Sequence, residues 1–336
     1  MPKNSSEKVN NLFLIGAGFT KAVFSDAPLN EDLLRVLCKG ASCNVLKKYR
    51  RKYKTDDIEI LLTHLDLEIL QPKAKRQTAL QTVRKTIGQQ LAECFRQFRF
   101  GNQELGNNNW LEPFAQKVFH QNDVIVSLNY DCFLEGLLDQ HEVWCPSTGY
   151  GAVKVDVPGA SFNKQINPKN ILIYKIHGSE NFHTTSLALK DINPRRISLV
   201  VNNGKIYPKS GKSSNVGVVE GKPYIIAPSF VKFFLPQIQL LMNEALQTAT
   251  QAKHFVIIGC SLRPEDNHLW LLLANFIYNS KNRRKLIVVD YKADTIKSKI
   301  CDYYSLGDDS TIKIVAIGQK DGLNRNTVDE LINNLG

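Results

Sequence analysis

The chain has 336 residues and a formal net charge of +11 at pH 7, from 43 Lys and Arg against 32 Asp and Glu. Hydrophobic residues make up 43% of the sequence and charged residues 22%, a balance typical of folded proteins rather than disordered chains. The longest apolar stretch, 269–278, is interrupted by Asn275 and is far shorter than the ~20 residues that span a membrane. These properties indicate one large domain or two, and exclude a membrane-spanning helix.

The beginning of the chain and the cysteines predict where the protein resides. The first ten residues, MPKNSSEKVN, are polar and lack the apolar core of a secretory signal. Seven cysteines form an odd set without any C-x-x-C pair, which argues against a disulfide framework and a cysteine-based zinc module. We therefore expect a cytoplasmic protein with reduced thiols and no metal site.

The positive charge is concentrated in two segments. Lys47–Lys54 (KKYRRKYK) carries +6 and Lys190–Lys222 carries +5, so the rest of the chain is neutral. In the first segment Tyr49 and Tyr53 alternate with the cations, a pattern that suits contact with the phosphates and bases of a nucleic acid. A solvated linker between helices explains the same segment and is the interpretation we favour. In the second segment, the Gly- and Ser-rich loop 202–222 is expected to be mobile.

Short apolar runs, bounded by Gly, Asn, Asp or Pro, alternate with helical patterns along the chain. Their length and composition predict strands of a parallel sheet covered by helices, so the fold class is α/β. Between the first two runs, hydrophobic residues recur at helical spacing, whereas 140–223 is rich in turn residues. The predicted strands are Leu12–Ile15, Val124–Leu128, Ile171–Ile176, Tyr224–Ala227, Phe255–Ile258, Leu286–Val289 and Ile312–Ile317.

Small or polar residues follow six of these runs. In an open α/β sheet, ligands bind in the crevice beyond the carboxyl ends of the strands, so we expect these residues to converge on one site. The six motifs are Gly16-Ala17-Gly18-Phe19-Thr20, Asn129-Tyr130-Asp131, His177-Gly178-Ser179, Pro228-Ser229, Gly259-Cys260-Ser261 and Asp290.

Each motif also has a purely structural explanation. Gly16 and Gly18 suit a tight turn from strand to helix, and Asn129 or Asp131 suits a helix cap. Lys21 stands where the dinucleotide fingerprint of dehydrogenases has its third glycine, and no acid-bearing second strand follows ~20 residues later, which disfavours a nicotinamide dehydrogenase. The convergence of six motifs favours a functional site over six separate structural roles.

Taken in order, the motifs resemble those of the sirtuin-like NAD-consuming domain found in bacterial antiphage defence proteins. The resemblance runs from residue 12 to about 290 and also includes Lys175 before His177, Lys232 after Ser229, and Asp266 after the Gly259 motif. It implies a Rossmann-like parallel sheet flanked by helices, in a single domain over 1–336. That domain would carry a helical insertion at 30–122 and a smaller irregular insertion at 140–223.

The resemblance implies that the protein hydrolyses the nicotinamide–ribose bond of NAD+, with NAD+ as a substrate and no other cofactor. Asn129 would position water and ribose, and His177 would act as the base. Asp131 would orient one of these groups or cap the helix. The residues implied to bind NAD+ are Gly16, Ala17, Gly18 and Thr20 at the pyrophosphate, and Gly259, Ser261 and Asp290, of which the last two would hold the adenosine half.

Two departures separate the chain from the protein deacylases of that family. No cysteine lies between Cys145 and Cys260, so the zinc module of the deacylases is absent, and Ala27-Pro28-Leu29 is the nearest equivalent of their G-I-P-D-F-R stretch. The zinc-less, NAD-hydrolysing branch is therefore favoured. The alternatives are an NAD-dependent protein deacylase and a non-catalytic subunit that senses nucleotides or binds nucleic acid, the latter through Lys47–Lys54.

The resemblance also bears on assembly. Uncontrolled NAD+ hydrolysis is toxic, and the chain contains no evident sensor module. We therefore expect a homo-oligomer whose activity is gated by a separate partner, such as a HerA-type ATPase or a short Argonaute.

Overall fold

The structure is a computed structural model. Lys232 and most of the segment Lys190–Lys222, with its predicted loop, lie outside the residues that it describes. The described residues are 9–39, 43–71, 74–102, 108–146, 148–151, 154–156, 168–184, 196–199, 222–230, 236–279, 284–307 and 310–336.

A six-stranded parallel sheet forms the centre of the molecule, in the order β10-β9-β8-β1-β2-β4. Its central strands are fully buried, which explains their nearly continuous Val, Ile, Leu and Phe sequences. Strand β1 is central, β2 and β4 follow on one side of it, and β8, β9 and β10 follow on the other side, which is the arrangement of the Rossmann fold. The predicted fold class is confirmed. The strands of this sheet are β1 (Asn11–Ile15), β2 (Val124–Ser127), β4 (Leu172–Lys175), β8 (His254–Ile258), β9 (Arg284–Val289) and β10 (Ile312–Ile317).

A second sheet has the order β3-β6-β5-β7 and corrects one prediction. The run at Tyr224–Ala227 was expected in the parallel sheet, but the strand there pairs antiparallel with β5. The reason is the turn at Gly178, where φ is +77° and the chain leaves the parallel sheet after His177. An added Cβ at Gly178 would lie 2.2 Å from the Tyr224 carbonyl oxygen, so glycine lets the two strands approach each other here. The strands are β3 (Lys154–Asp156), β5 (Gly178–Thr184), β6 (Arg196–Leu199) and β7 (Lys222–Ile225).

Helices cover both faces of the parallel sheet, and the second to sixth fall within 30–122, where the helical insertion is predicted. That these residues form an insertion in a single domain stays a prediction. No helix among the described residues is long and apolar enough to cross a membrane. The helices are α1 (Ala17–Val23), α2 (Asn30–Leu37), α3 (Cys43–Tyr53), α4 (Ile58–Leu70), α5 (Ala74–Phe95), α6 (Leu111–Pro113) with the π-helical turn Phe114–Val118, α7 (Phe133–Gln140), α8 (Pro236–Gln251), α9 (Asn267–Tyr278), α10 (Ala293–Tyr304) and α11 (Arg325–Leu335).

Helix α3 replaces the linker expected at Lys47–Lys54. Its five cations and Lys54, which follows the helix, are exposed. Tyr49 is buried and donates a hydrogen bond to Glu68, and the ring of Tyr53 stacks on that of His64. Tyr49 is therefore part of the hydrophobic core and is not exposed for the base stacking that the nucleic-acid alternative requires.

An aromatic cluster fixes α1, the helix that follows the first motif. The ring of Phe19 lies 5.1 Å from that of Phe114 and 5.9 Å from those of Trp110 and Phe133, measured between centroids. All four side chains are buried, so the start of α1 is held rigidly against the helical layer.

The seven cysteines are free, as predicted.

Candidate active site

A cavity of about 760 Å³ opens at the carboxyl ends of the parallel strands. It lies where the chain connections from β1 and β8 diverge, the position at which doubly wound sheets bind ligands. Its volume is in the usual range for small-molecule sites. Gly178, Ser179 and Ser229 of the six motifs do not line the cavity. The ten residues that were given a catalytic, orienting or NAD+-binding role from the sequence all do: Gly16, Ala17, Gly18, Thr20, Asn129, Asp131, His177, Gly259, Ser261 and Asp290.

A chain of buried hydrogen bonds fixes Asn129. Its Nδ2 donates to Thr20 Oγ1 at 3.0 Å, and that hydroxyl donates to Asp131 Oδ2 at 2.8 Å. Within the described part of the chain, the buried Oδ1 of Asn129 has no hydrogen-bond partner. Because a buried carbonyl oxygen without a partner is costly, this atom in the cavity wall is suited to accept a hydrogen bond from a ligand.

Asp131 binds the start of helix α7 and also lines the cavity. Its Oδ1 accepts the backbone N–H of Phe133, the first residue of α7, while its Oδ2 binds Thr20. Burial raises the pKa of Asp131 to about 6, although the positive charge of Lys175 opposes the shift. At neutral pH the carboxylate is therefore mostly ionised and places negative charge at the bottom of the cavity.

A buried ion pair lies directly behind this carboxylate. Lys175 Nζ is 2.9 Å from Glu135 Oε1 and donates to the backbone oxygen of Asp131 at 2.6 Å. Burial alone would lower the pKa of Lys175, but the negative charges of Glu135 and Asp131 outweigh it, so the pKa lies above its ordinary value. The pair joins the end of β4 to the start of α7, and with them the loops that carry His177 and Asn129.

His177 lies in the turn that follows β4 and meets a second histidine. Its Nε2 is 3.0 Å from Nε2 of His268, at the start of α9, and Asp266 lies beside both rings. Sequence analysis missed His268, because it stands 91 residues from its partner. The signal that would have found it is its position two residues after Asp266, in a motif already noted.

The glycines of the first motif pack against the loop after β8. A Cβ on Gly16 would lie 2.6 Å from the Gly259 oxygen, and the Gly18 amide donates to that same oxygen at 2.8 Å. Close approach of two backbone turns therefore accounts for glycine at both positions, whereas the structural explanation drawn from the sequence was a tight turn from strand to helix. The backbone N–H of Gly18 is already bonded within the protein.

Charged and thiol groups at the rim complete the site. Asp290 Oδ1 accepts the backbone N–H of Lys292 at 2.8 Å, and burial raises the Asp290 pKa. Burial also raises the pKa of the Cys260 thiol to about 12, so this cysteine is not a thiolate nucleophile at neutral pH. Sequence analysis also missed Glu59, which lies 3.3 Å from Arg263 and links α4 to the rim.

Two solved structures resemble the chain at low sequence identity. One is described as a Sir2 homolog–NAD complex and has 11% identity, a TM-score of 0.44 and coverage of 98% of this chain and 90% of that chain. The other, from a description of the mechanism and regulation of Sir2 enzymes, has 13% identity, a TM-score of 0.40 and coverage of 98% and 93%. A comparison with curated proteins finds no match.

The sequence also matches a family model described as "SIR2-like domain" over residues 123–307. This segment contains the motifs at Asn129, His177 and Gly259, and it covers more than half of the chain. The protein therefore belongs to the SIR2-like domain family.

Proposed function

We propose that the protein hydrolyses NAD+ at the nicotinamide–ribose bond. The bond between the ribose C1′ and the pyridinium nitrogen breaks with its electron pair going to nicotinamide, and water adds to C1′. The products are ADP-ribose, nicotinamide and one proton. The activity is that of an NAD+ glycohydrolase, with NAD+ as the substrate.

The observation that carries this proposal is the geometry around Asn129. Its amide is fixed by Thr20 and Asp131, and its Oδ1 stays available in a cavity that His177 also lines. An amide oxygen held in this way suits a ribose hydroxyl or an attacking water molecule. Pre-fixed groups of this kind favour the reaction because they are oriented before the substrate arrives.

The charge at the bottom of the cavity suits the same reaction. As nicotinamide departs, positive charge develops on the ribose ring, and an ionised Asp131 stabilises it electrostatically. His177 takes the proton that water loses when it attacks C1′. The pyrophosphate is assigned to the turn at Gly16–Thr20, and the adenosine half to Ser261 and Asp290, near Gly259.

The test is an assay of NAD+ consumption that measures nicotinamide and ADP-ribose separately. We expect the wild type to form both products in equal amounts, and Asn129→Ala and His177→Ala each to lose at least ~100-fold in turnover. Asn334→Ala, in α11 and away from the cavity, is the matched control and should keep full activity. Circular dichroism would verify that each variant is folded.

Three results would overturn this function. Nicotinamide release that requires an acyl-lysine peptide would indicate a protein deacylase. Tight NAD+ binding without turnover, with and without proteins encoded beside this one, would indicate a nucleotide-sensing subunit. Undiminished turnover in both Asn129→Ala and His177→Ala would show that the assigned groups do not perform the chemistry.

We further propose that this activity is controlled by assembly. An NAD-depleting effector of antiphage defence must be inactive in healthy cells, and the resemblance suggests a homo-oligomer activated by a HerA-type ATPase or a short Argonaute. The measurement is turnover of the protein alone and with each candidate partner. Equal turnover in every mixture would exclude control by these partners.

A further inference from the structure

One side-chain cluster in the cavity wall has a composition that NAD+ cleavage does not require. His177, Asp266 and His268 each offer a potential ligand atom, and these three atoms all lie within 4.8 Å of one another. His177 comes from the end of the parallel sheet, whereas Asp266 and His268 come from the start of α9. Two separate elements therefore present two imidazoles and a carboxylate to one point.

The distance between the two imidazoles suits a metal ion. Nitrogen atoms bound to one ion at ~2.0–2.1 Å, with an angle near 90–110° between them, lie roughly 2.8–3.4 Å apart. The measured separation of the two Nε2 atoms is 3.0 Å. The separation therefore matches that of two imidazoles that share an ion, which would take the place of the hydrogen that one ring now donates to the other.

Asp266 supports the same interpretation. It is the N-cap residue of α9, a position where aspartate commonly accepts a backbone N–H, yet its side chain makes no capping hydrogen bond. Its carboxylate lies with the two histidines instead. Both Asp266 and His177 line the cavity, so an ion can reach the cluster from the side where NAD+ would enter.

The donor set indicates which ion would bind. Two imidazoles and one carboxylate suit Zn²⁺, Fe²⁺ or Co²⁺, whereas Mg²⁺ and Ca²⁺ prefer oxygen ligands alone. We propose that His177, Asp266 and His268 bind one divalent transition-metal ion of the zinc class. This departs from the expectation of no metal site, which rested on cysteine spacing alone.

A bound ion would have a functional consequence that rests on the proposed NAD+ hydrolysis. The lone pair with which His177 coordinates the ion cannot at the same time accept a proton from water. A bound ion would therefore inhibit NAD+ cleavage, and removal of the ion would restore NAD+ cleavage. The cluster thus provides an inhibitory site inside the catalytic cavity.

The binding test uses the full chain, freed of metal by a chelator and titrated with Co²⁺. We expect one equivalent to bind and to give a visible ligand-field absorption. Asp266→Asn and His268→Gln should each weaken Co²⁺ binding at least ~100-fold, since each removes a direct ligand. His141→Gln, at the end of α7, is the matched control and should bind Co²⁺ as the wild type does. Thermal unfolding of each variant would verify folding.

Different results would overturn the metal site, its inhibitory role and the proposed NAD+ hydrolysis. The site is overturned if the wild type shows no ligand-field band, or if the variants bind Co²⁺ as tightly as the wild type does. The inhibitory role is overturned if one equivalent of Zn²⁺ binds but leaves NAD+ turnover unchanged. Metal binding in a protein that never cleaves NAD+ would retain the site and reject the proposed function.

Discussion

Gly259 shows how a single residue determines the floor of the cavity. Its φ is +59°, and an added Cβ would lie 2.3 Å from the Phe19 amide nitrogen. We expect Gly259→Ala to lower the free energy of unfolding by ~2 kcal/mol or more, because a left-handed backbone and a steric overlap add together. The measurement is the urea concentration at half-unfolding.

The matched control is a glycine in an ordinary helix. Gly88 lies inside α5, and an added Cβ there would meet no atom within 4 Å. Gly88→Ala should therefore stabilise the protein by about 0.5–1 kcal/mol, through the higher helix propensity of alanine. Equal unfolding midpoints for Gly259→Ala and the wild type would refute the role given to the turn.

The raised pKa of Asp131 predicts that the stability of the protein depends on pH. Burial raises its pKa from 3.8 to about 6, so the folded state holds this proton more tightly than the unfolded state does. The resulting stabilisation is fully present below pH ~4 and is lost as the pH rises through 6. Relative to Asp131→Asn, the wild type should lose unfolding free energy between pH 4 and 7 and change little above. A constant difference across that range in urea titrations would contradict this pKa.

At the scale of elements, the buried ion pair between β4 and α7 connects the loops that carry His177 and Asn129. Lys175→Met should destabilise the protein by about 3–5 kcal/mol, because it leaves the fully buried Glu135 without a counter-charge. The double variant Lys175→Met/Glu135→Leu removes both charges and should recover much of this loss. Denaturant unfolding of both proteins measures the difference. A double variant less stable than Lys175→Met would show that the pair itself, rather than the unpaired charge, dominates.

At the scale of the whole molecule, positive charge on α3 lies apart from the cavity at the carboxyl ends of the parallel strands. The six cations of Lys47–Lys54 are exposed, and Arg50 is bonded to Asp56. We favour a solvated surface here, whereas a nucleic-acid surface would bind duplex DNA weakly at ~50 mM salt and ~100-fold or more weakly at ~200 mM, because each phosphate contact releases counterions. Lys48→Glu/Arg51→Glu should abolish this binding. Fluorescence anisotropy at both salt concentrations measures it.

The matched control for this surface is Lys313→Glu/Lys320→Glu, which makes the same charge change on and after β10. It should bind DNA nearly as the wild type does, because these lysines lie outside the α3 cluster. Equal losses in the two double variants would indicate that net charge alone attracts DNA. Absence of binding at low salt would exclude α3 as a nucleic-acid surface.

The sequence was sufficient to predict the fold class and ten of the residues that line the cavity. Buried parallel strands have nearly continuous apolar sequences, and their carboxyl ends meet at one edge. A list of residues that follow such runs, from Gly16 to Asp290, is therefore also a list of neighbours in space. This inference needs the order of strands and helices but no knowledge of side-chain contacts.

Tertiary structure alone decided the contacts between residues distant in sequence. It pairs His177 with His268, buries Lys175 against Glu135, turns Tyr49 into the core and moves Tyr224 to the second sheet. The sequence identifies none of these partners, because each contact depends on how separate elements pack after their own patterns are satisfied. Periodicity reports which face of an element is buried, whereas only the packed chain determines which group lies opposite.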